Sequence, residues 1–364
     1  MPVTPIRTPN QAPSHVQALG NLVGYHSSGR SLEELKESND ILSGGESQRL
    51  RSYCTSQVMD PNDDLDPFGK LAFWGRTESV KADIEVRLRN YESLPREAQL
   101  ERVAQEISNL RYGPNRTPIM NCILQARFLV PERRQEQLET ARYILDTFAP
   151  VASKVDIVDT PDLAGTTALS HAISTKPTFD PEFAQVLWEA GANINKRNRY
   201  GATPAHEFCM IWKPQDRAIV NLARQALEWF LSHGGNPDIA DGDGMKPSSM
   251  ILRISVIERG MQTILNDHQA KRKQREKEPK GACLACGEEN KKLMQCSRCQ
   301  TARYCSPPRK CQVADWPCHK KACGDKHSQA SSSKGKSTSA GAGGKSSQKS
   351  QQPQGFNYLG MQLS

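Results

Sequence analysis

Gly165-Thr166-Thr167-Ala168-Leu169-Ser170-His171-Ala172 and Gly201-Ala202-Thr203-Pro204-Ala205-His206-Glu207-Phe208 are two copies of one pattern, and Gly244-Met245-Lys246-Pro247 is a fainter third. Ahead of the second and third copies stand Gly191-Ala192-Asn193-Ile194-Asn195 and Gly234-Gly235-Asn236-Pro237-Asp238, each beginning ten residues before the next motif glycine. The residue types suit a helix–turn–helix unit. Thr203 can cap a helix, and Pro204 can take its first position, where a missing N–H costs nothing. His206 can hydrogen-bond nearby backbone. Residues 222–233 supply a second, amphipathic helix with Leu227, Phe230 and Leu231 facing inward. Gly234 ends that helix in a left-handed cap, and Asn236 and Asp238 favour the following turn.

This pattern resembles the ankyrin repeat, whose signature is a Gly-x-Thr-Pro-Leu-His-x-Ala stretch and a later Gly-Ala-x-x-Asn. The resemblance implies a mainly α chain with a stacked helical solenoid over residues 113–266. The motif glycines are 36 and 43 residues apart, longer than the family period of about 33. The extra length is expected at 176–179 and 212–216, between paired helices. A degenerate earlier copy is expected to start at Thr117-Pro118 and to use 141–145 in its second helix. The count is three repeats or four, three being about the minimum for a stable stack.

A second signal lies further along. Of 11 cysteines, eight fall between Cys283 and Cys323, ends included. Their order with one histidine is Cys283-x2-Cys286, Cys296-x2-Cys299, Cys305, Cys311, His319, Cys323, with Cys318 as a spare thiol. Two Cys-x-x-Cys pairs can each hold half of a tetrahedral zinc site, and the other four residues supply the remaining ligands. Together with Thr301-Ala302-Arg303-Tyr304, Gln312 and Asp315-Trp316, this resembles a MYND zinc finger over 283–323. The resemblance implies interleaved ligands: Cys283, Cys286, Cys305 and Cys311 for one zinc, Cys296, Cys299, His319 and Cys323 for the other. Both zincs would be structural, because a closed four-ligand site leaves no position for water or substrate. It also implies a module for proline-containing peptides, lined by Ser306, Gln312 and Trp316. Cys305 and Cys311 are five residues apart where the family usually has three, so Ser306-Pro307-Pro308-Arg309-Lys310 is expected to bulge. The spacing from Cys311 to Cys323 suits a helix with His319 and Cys323 one turn apart on one face.

The rest of the chain frames these two modules. Residues 1–75 are rich in Pro, Ser, Gly, Asn and Asp and read as a mostly disordered arm, with one short helix at 31–38 capped by Ser31 and Glu34. Residues 76–112 read as a helical segment. Within 77–111, Val80, Ile84, Leu88 and Tyr91 form one apolar stripe, and Leu100, Val103, Ile107 and Leu110 a second, with Pro95 between them. These helices are expected to cover the open end of the stack. Residues 267–282, with Lys271-Arg272-Lys273-Gln274-Arg275-Glu276-Lys277, read as a basic linker. Residues 324–364 read as a disordered, low-complexity tail. Gly335-Lys336-Ser337 and Gly344-Lys345-Ser346 in that tail lack the earlier glycine of a phosphate loop, since Ala330 and Ser339 stand there. The more apolar 356–361 could dock to a partner. Cys54, Cys122 and Cys209 read as packed or free thiols.

Hydrophobic residues are 37% of the chain, aromatics 6%, and the net charge is +8. That charge permits weak attraction to polyanions without establishing it. The first 25 residues hold no signal-peptide core, and no apolar run is long enough to span a membrane, so an intracellular protein is expected, in nucleus or cytoplasm. No SET-like segment accompanies the finger, which disfavours a lysine methyltransferase, and a histidine as seventh ligand disfavours a ubiquitin-ligase RING. The expected function is a non-enzymatic adaptor whose partners are proteins, possible roles including transcriptional regulation. The alternative is salt-sensitive, nonspecific nucleic-acid binding through 271–280, the finger and the tail.

Overall fold

The computed structural model describes residues 29–176, 178–211, 213, 215–277, 282–285, 293–305, 310–320 and 323. The tail features at 335–337, 344–346 and 356–361 lie outside them. Four helix pairs form the body among the described residues: α6 (Ile119–Leu129) with α7 (Arg134–Phe148), α8 (Ala168–Ile173) with α9 (Pro181–Ala190), α10 (Pro204–Cys209) with α11 (Arg217–Ser232), and α12 (Pro247–Ile254) with α13 (Gly260–Lys277). The first helices stack in a row, α6 on α8 on α10 on α12. Thr117-Pro118 does open the earliest pair, Pro118 standing at the cap of α6. The long inter-motif spacings are absorbed between paired helices, at 174–180 and 210–216.

Local chemistry explains each unit. Thr203 caps α10, its N–H donating to His206 Nδ1 at 3.0 Å, and Pro204 begins the helix. His206 Nε2 lies 3.0 Å from the carbonyl of Met245 in the next repeat, so the ring is protonated on Nε2 and ties two units together. Leu227, Phe230 and Leu231 of α11 are buried. Gly234 follows that helix with φ +85°.

The loop tips stack through backbone hydrogen bonds. Leu163 N–H donates to Asn115 C=O, Arg199 N–H to Ala164 C=O, and Gly242 N–H to Tyr200 C=O, at 2.8–2.9 Å. This contact explains the motif glycines. A Cβ on Gly201 (φ +71°) would sit 2.6 Å from the backbone nitrogen of Gly242, and one on Gly165 (φ +77°) 2.7 Å from that of Arg199. Each loop is closed by a side chain three positions before its glycine. Asp162 Oδ1 accepts from Thr166 N–H, Asn198 Oδ1 from Ala202 N–H, and Asp241 Oδ1 from Met245 N–H, at 2.8–3.0 Å.

The N-terminal side is more ordered than its composition suggests, and the reading of 1–75 as mostly disordered is corrected from residue 29 onward. Residues 29–75 contain α1 (Leu32–Glu37), α2 (Gly44–Ser56) and α3 (Pro67–Phe73). The capping box at Ser31 and Glu34 is present. Leu35, Leu42 and Leu50 are buried against Leu163, Ala164, Tyr200 and Ala202 on the repeat loops. Phe68 and Phe73 join the main core. These few apolar residues gain burial only from tertiary contact, so a local pattern does not reveal them.

Helices α4 (Thr77–Arg89) and α5 (Arg96–Asn109) bury the two expected stripes, Val80, Ile84 and Leu88, then Leu100, Val103 and Ile107. Pro95 stands at the start of α5. Helices α3 and α4 pack on α6 and α7, covering the first pair. Between the first and second pairs runs a buried ion pair: Arg127 Nε and Nη2 lie 2.8 and 3.1 Å from the Asp180 carboxylate, and both side chains are fully enclosed. Asp180 also caps α9 at Phe183 N–H. Burial alone would raise the Asp180 pKa, but Arg127, with the Phe183 N–H and Arg134, more than offsets it and keeps the carboxylate ionised. At the other end, α13 continues through Lys277. The basic stretch from 267 is therefore helix rather than linker up to that residue. The helix starts with Met261 and Leu265 packed in the core.

Candidate metal centre

The finger grows from small pieces. Strands β1 (Leu293–Gln295) and β2 (Arg303–Cys305) pair antiparallel, with Met294 opposite Tyr304. Leu284 N–H donates to Arg303 C=O and Cys296 N–H to Ala302 C=O, both at 2.8 Å. These bonds hold Cys283, Cys296 and Cys305 along one short sheet. Helix α14 (Lys310–His319) then brings in Cys311 and His319.

Two sets of ligand atoms converge, each within 4.8 Å of one another: Cys296, Cys299, His319 and Cys323, and Cys283, Cys305 and Cys311. Cys296 Sγ lies 3.9 Å from Cys323 Sγ, and Cys299 Sγ 3.5 Å from His319 Nε2. A tetrahedral zinc with Zn–S about 2.3 Å and Zn–N about 2.0 Å separates its ligands by about 3.8 Å (S···S) and about 3.5 Å (S···N). The observed separations fit that geometry.

The donor chemistry fits as well. Burial works against a Cys296 thiolate, but backbone N–H groups of Cys299 and Arg298, with the His319 and Cys299 side chains, more than offset it and bring its pKa down to about 6. Cys323 is pushed up to about 11 by burial and by the neighbouring thiols. Sulfurs this close cannot all ionise alone; a divalent cation removes the conflict.

Cys286 and Ser306 lie outside the described residues, as does the Pro307-Pro308 insertion. Gln312 is half-buried on α14, and Trp316 remains 38% exposed on the same helix. The Trp316 ring lies 6.0 Å from that of His319. One expectation is corrected: His319 and Cys323 do not share a helix face. Among the described residues the last helical bond is Lys320 N–H to Trp316 C=O, α14 ends at His319, and Cys323 reaches the site from beyond it.

Two bracing contacts escape a motif search, although Tyr304 and Asp315 themselves belong to the motif. Tyr304 OH donates to Asp315 Oδ2 at 2.8 Å, both residues being buried, and the Tyr304 ring meets His319 edge-on at 5.9 Å. On the other side of Asp315, Oδ1 pairs with the guanidinium of Arg272 from α13. The cation in the basic run thus ties the last repeat helix to the helix carrying the zinc-ligating histidine. Its neighbours in sequence gave no hint, because the partner is a long way along the chain.

Residues 283–323 match one family model, the MYND finger. The finger is of the MYND type. Its two clusters fit two zinc sites. Among solved structures, the chain is similar to an ankyrin repeat protein at 14% identity and TM-score 0.33, over 65% of this chain and 96% of that one. It is also similar to an ankyrin repeat domain from Acinetobacter baumannii AYE at 18% identity and TM-score 0.29, over 56% and 97%. Helix pairing and stacked loop tips, rather than these scores, identify the repeats. A search of curated proteins finds no match. No helix among the described residues is long and apolar enough to cross a membrane.

Proposed function

We propose that this chain is a non-catalytic adaptor in which the MYND finger presents a groove around Gln312 and Trp316, with Ser306, to proline-containing peptides of partner proteins. One observation carries this reading: Trp316 stays 38% exposed on a helix whose His319 and Asp315 are buried. A flat indole held beside a rigid zinc core offers a ready face for proline at low entropic cost. Cys286 completes the first site with Cys283, Cys305 and Cys311. Cys296, Cys299, His319 and Cys323 form the second. Both zincs brace the groove, and the repeats supply a second surface, so that two linked contacts reinforce each other on one assembly.

The test is a proline-peptide array against the full chain, followed by titration of the best binder into Trp316→Ala and Gln312→Ala. Binding that persists unchanged in both variants sinks the groove assignment. Native mass spectrometry of the same protein should give two zincs per chain; one zinc would mean that the 306–310 insertion breaks the first site, and the groove assignment would fall with it.

A further inference from the structure

Away from the finger, a half-open cleft of about 410 Å³ lies between the end of α1, the turn after α5 and the loop tips of the repeats. Its lining carries six cations, Lys36, Arg111, Arg116, Lys196, Arg197 and Arg199, and one carboxylate, Asp162. That carboxylate is already engaged, Oδ1 by Thr166 N–H and Oδ2 by His171. Lys36 pairs with Glu33, Arg116 with Glu37, and Lys196 approaches Asp156 at 3.8 Å. The other three cations have no carboxylate partner among the described residues. Arg111 donates to the carbonyls of Ser108 and Leu110, and Arg197 to those of Gly201 and Ala240. Arg199 is 7% exposed and donates to Leu163 C=O, Leu35 C=O and Ser38 Oγ, while its Nε has no hydrogen-bond partner. Burial lowers the pKa of Arg111, and lowers that of Arg199 by more than the neighbouring Asp40 carboxylate raises it.

Neither terminal segment of this sequence, 1–28 or 324–364, is acidic. Residues 1–28 contain no Asp or Glu, and residues 324–364 contain one, Asp325, against five lysines. Negative charge on a bound partner would complement the cleft. The walls are also partly apolar: Ile41, 48% exposed, stands with Pro161 and Leu163 beside the cations. A simple anion would leave those apolar walls unused. The enclosed shape is too local for a duplex backbone, which needs cations in an extended row.

We propose that this cleft binds an acidic peptide segment of another protein, with carboxylates on Arg111 and Arg197 and an apolar side chain against Ile41 and Pro161. Buried, fixed guanidinium groups such as Arg199 favour carboxylates through the field they set up without moving to meet them. The site is independent of the zinc finger.

The experiment is fluorescence anisotropy on the full chain at low and moderate salt. The probe is a labelled Glu- and Asp-rich peptide bearing one leucine, with a Lys-rich counterpart and a single-stranded oligothymidine as comparators. Arg111→Glu is the deciding variant, since its hydrogen bonds reach only its own turn and the fold should be kept, as a melting curve will check. Arg111→Glu should weaken acidic-peptide binding roughly fivefold, and adding Arg197→Glu should weaken it further. Lys271→Glu with Lys273→Glu should change it less than about twofold, and Trp316→Ala should leave it unchanged. Loss of equal size in the Lys271/Lys273 variant would overturn the proposal as general electrostatics. So would absence of saturable binding, or tighter binding of the oligothymidine displaced by the same cleft variants.

Discussion

The repeat stack and the finger sit in one chain but are held by different forces. In the stack, one continuous cluster runs from Met59 to Leu265 and is built of Leu, Ile, Val, Phe and Ala side chains. In the finger, the buried cluster is largely the ligands themselves: Cys283, Cys296, Cys299, Cys311 and Cys323, with Leu284, Ala285, Ala302 and Tyr304. The stack is stabilised by apolar area removed from water, the finger by metal bonds, since its apolar residues are too few to offset the cost of ordering the chain. The two should therefore fail separately and under different agents.

Chelation gives the largest expected effect. Zinc binding in small fingers contributes roughly 10–16 kcal/mol, so a strong chelator should unfold 283–323 while the stack keeps its amide protection. Hydrogen exchange read by mass spectrometry distinguishes the two regions in one experiment. Loss of protection across α6–α11 would mean that the stack depends on the finger and would break the contrast.

The stack has one point where charge rather than area matters. Asp180→Ala leaves Arg127 buried with only the exposed Glu182 carboxylate, 3.4 Å away, as an acidic partner among the described residues and should cost about 3–5 kcal/mol. Urea unfolding measures it. Replacing the pair together, Arg127→Met with Asp180→Leu, should recover most of that loss, because the cost lies in the orphaned charge. A double variant as unstable as Asp180→Ala would instead assign the loss to the missing cap on α9.

Much of this contrast was legible in the residues. The Gly-x-Thr-Pro-Ala-His stretch at 201–206 fixed a cap and a first-position proline, because each acts within a few residues; the bond from His206 to Met245 in the next repeat was not legible. The ligand order announced the finger for the same reason: metal spacing is local chemistry. What stayed hidden depends on distant partners. Leu35, Leu42 and Leu50 look like scattered residues in a polar arm until the repeat loops cover them. Arg272 looks like one cation in a basic run until Asp315 meets it. Asp162, Asn198 and Asp241 could have been found, since each stands three positions before a motif glycine.

Arg272 is one place where the two regions touch, which makes it a probe of how far they are coupled. Arg272→Ala leaves Asp315, 3% exposed, with Tyr304 as its remaining hydrogen-bond partner among the described residues. We expect about 1–3 kcal/mol lost from the finger and little from the stack. The readout is faster zinc release to a chromogenic chelator, with the melting curve of the repeats unmoved. Unchanged release would show that the finger holds its shape without the repeat helix.

The smallest effect concerns pH and belongs to the stack alone. His171 Nε2 lies 3.0 Å from Asp162 Oδ2 at a loop tip. Burial pushes the imidazole pKa down, but the Asp162 carboxylate more than offsets this, with a minor contribution from Glu207, and the net shift is upward. A histidine whose folded pKa exceeds its unfolded value binds its proton more tightly when folded. Its contribution is thus fully present below an unfolded value of about 6.5 and fades as pH rises through the folded value. For a partly exposed pair the size should be under about 1 kcal/mol. Unfolding of the native chain and of His171→Gln, compared at acid and mildly alkaline pH, isolates it: the native chain should lose slightly more stability on raising the pH. The sign reverses if the loop holds His171 neutral, and an NMR titration placing its pKa below the ordinary histidine value would then assign burial, not Asp162, as the stronger influence.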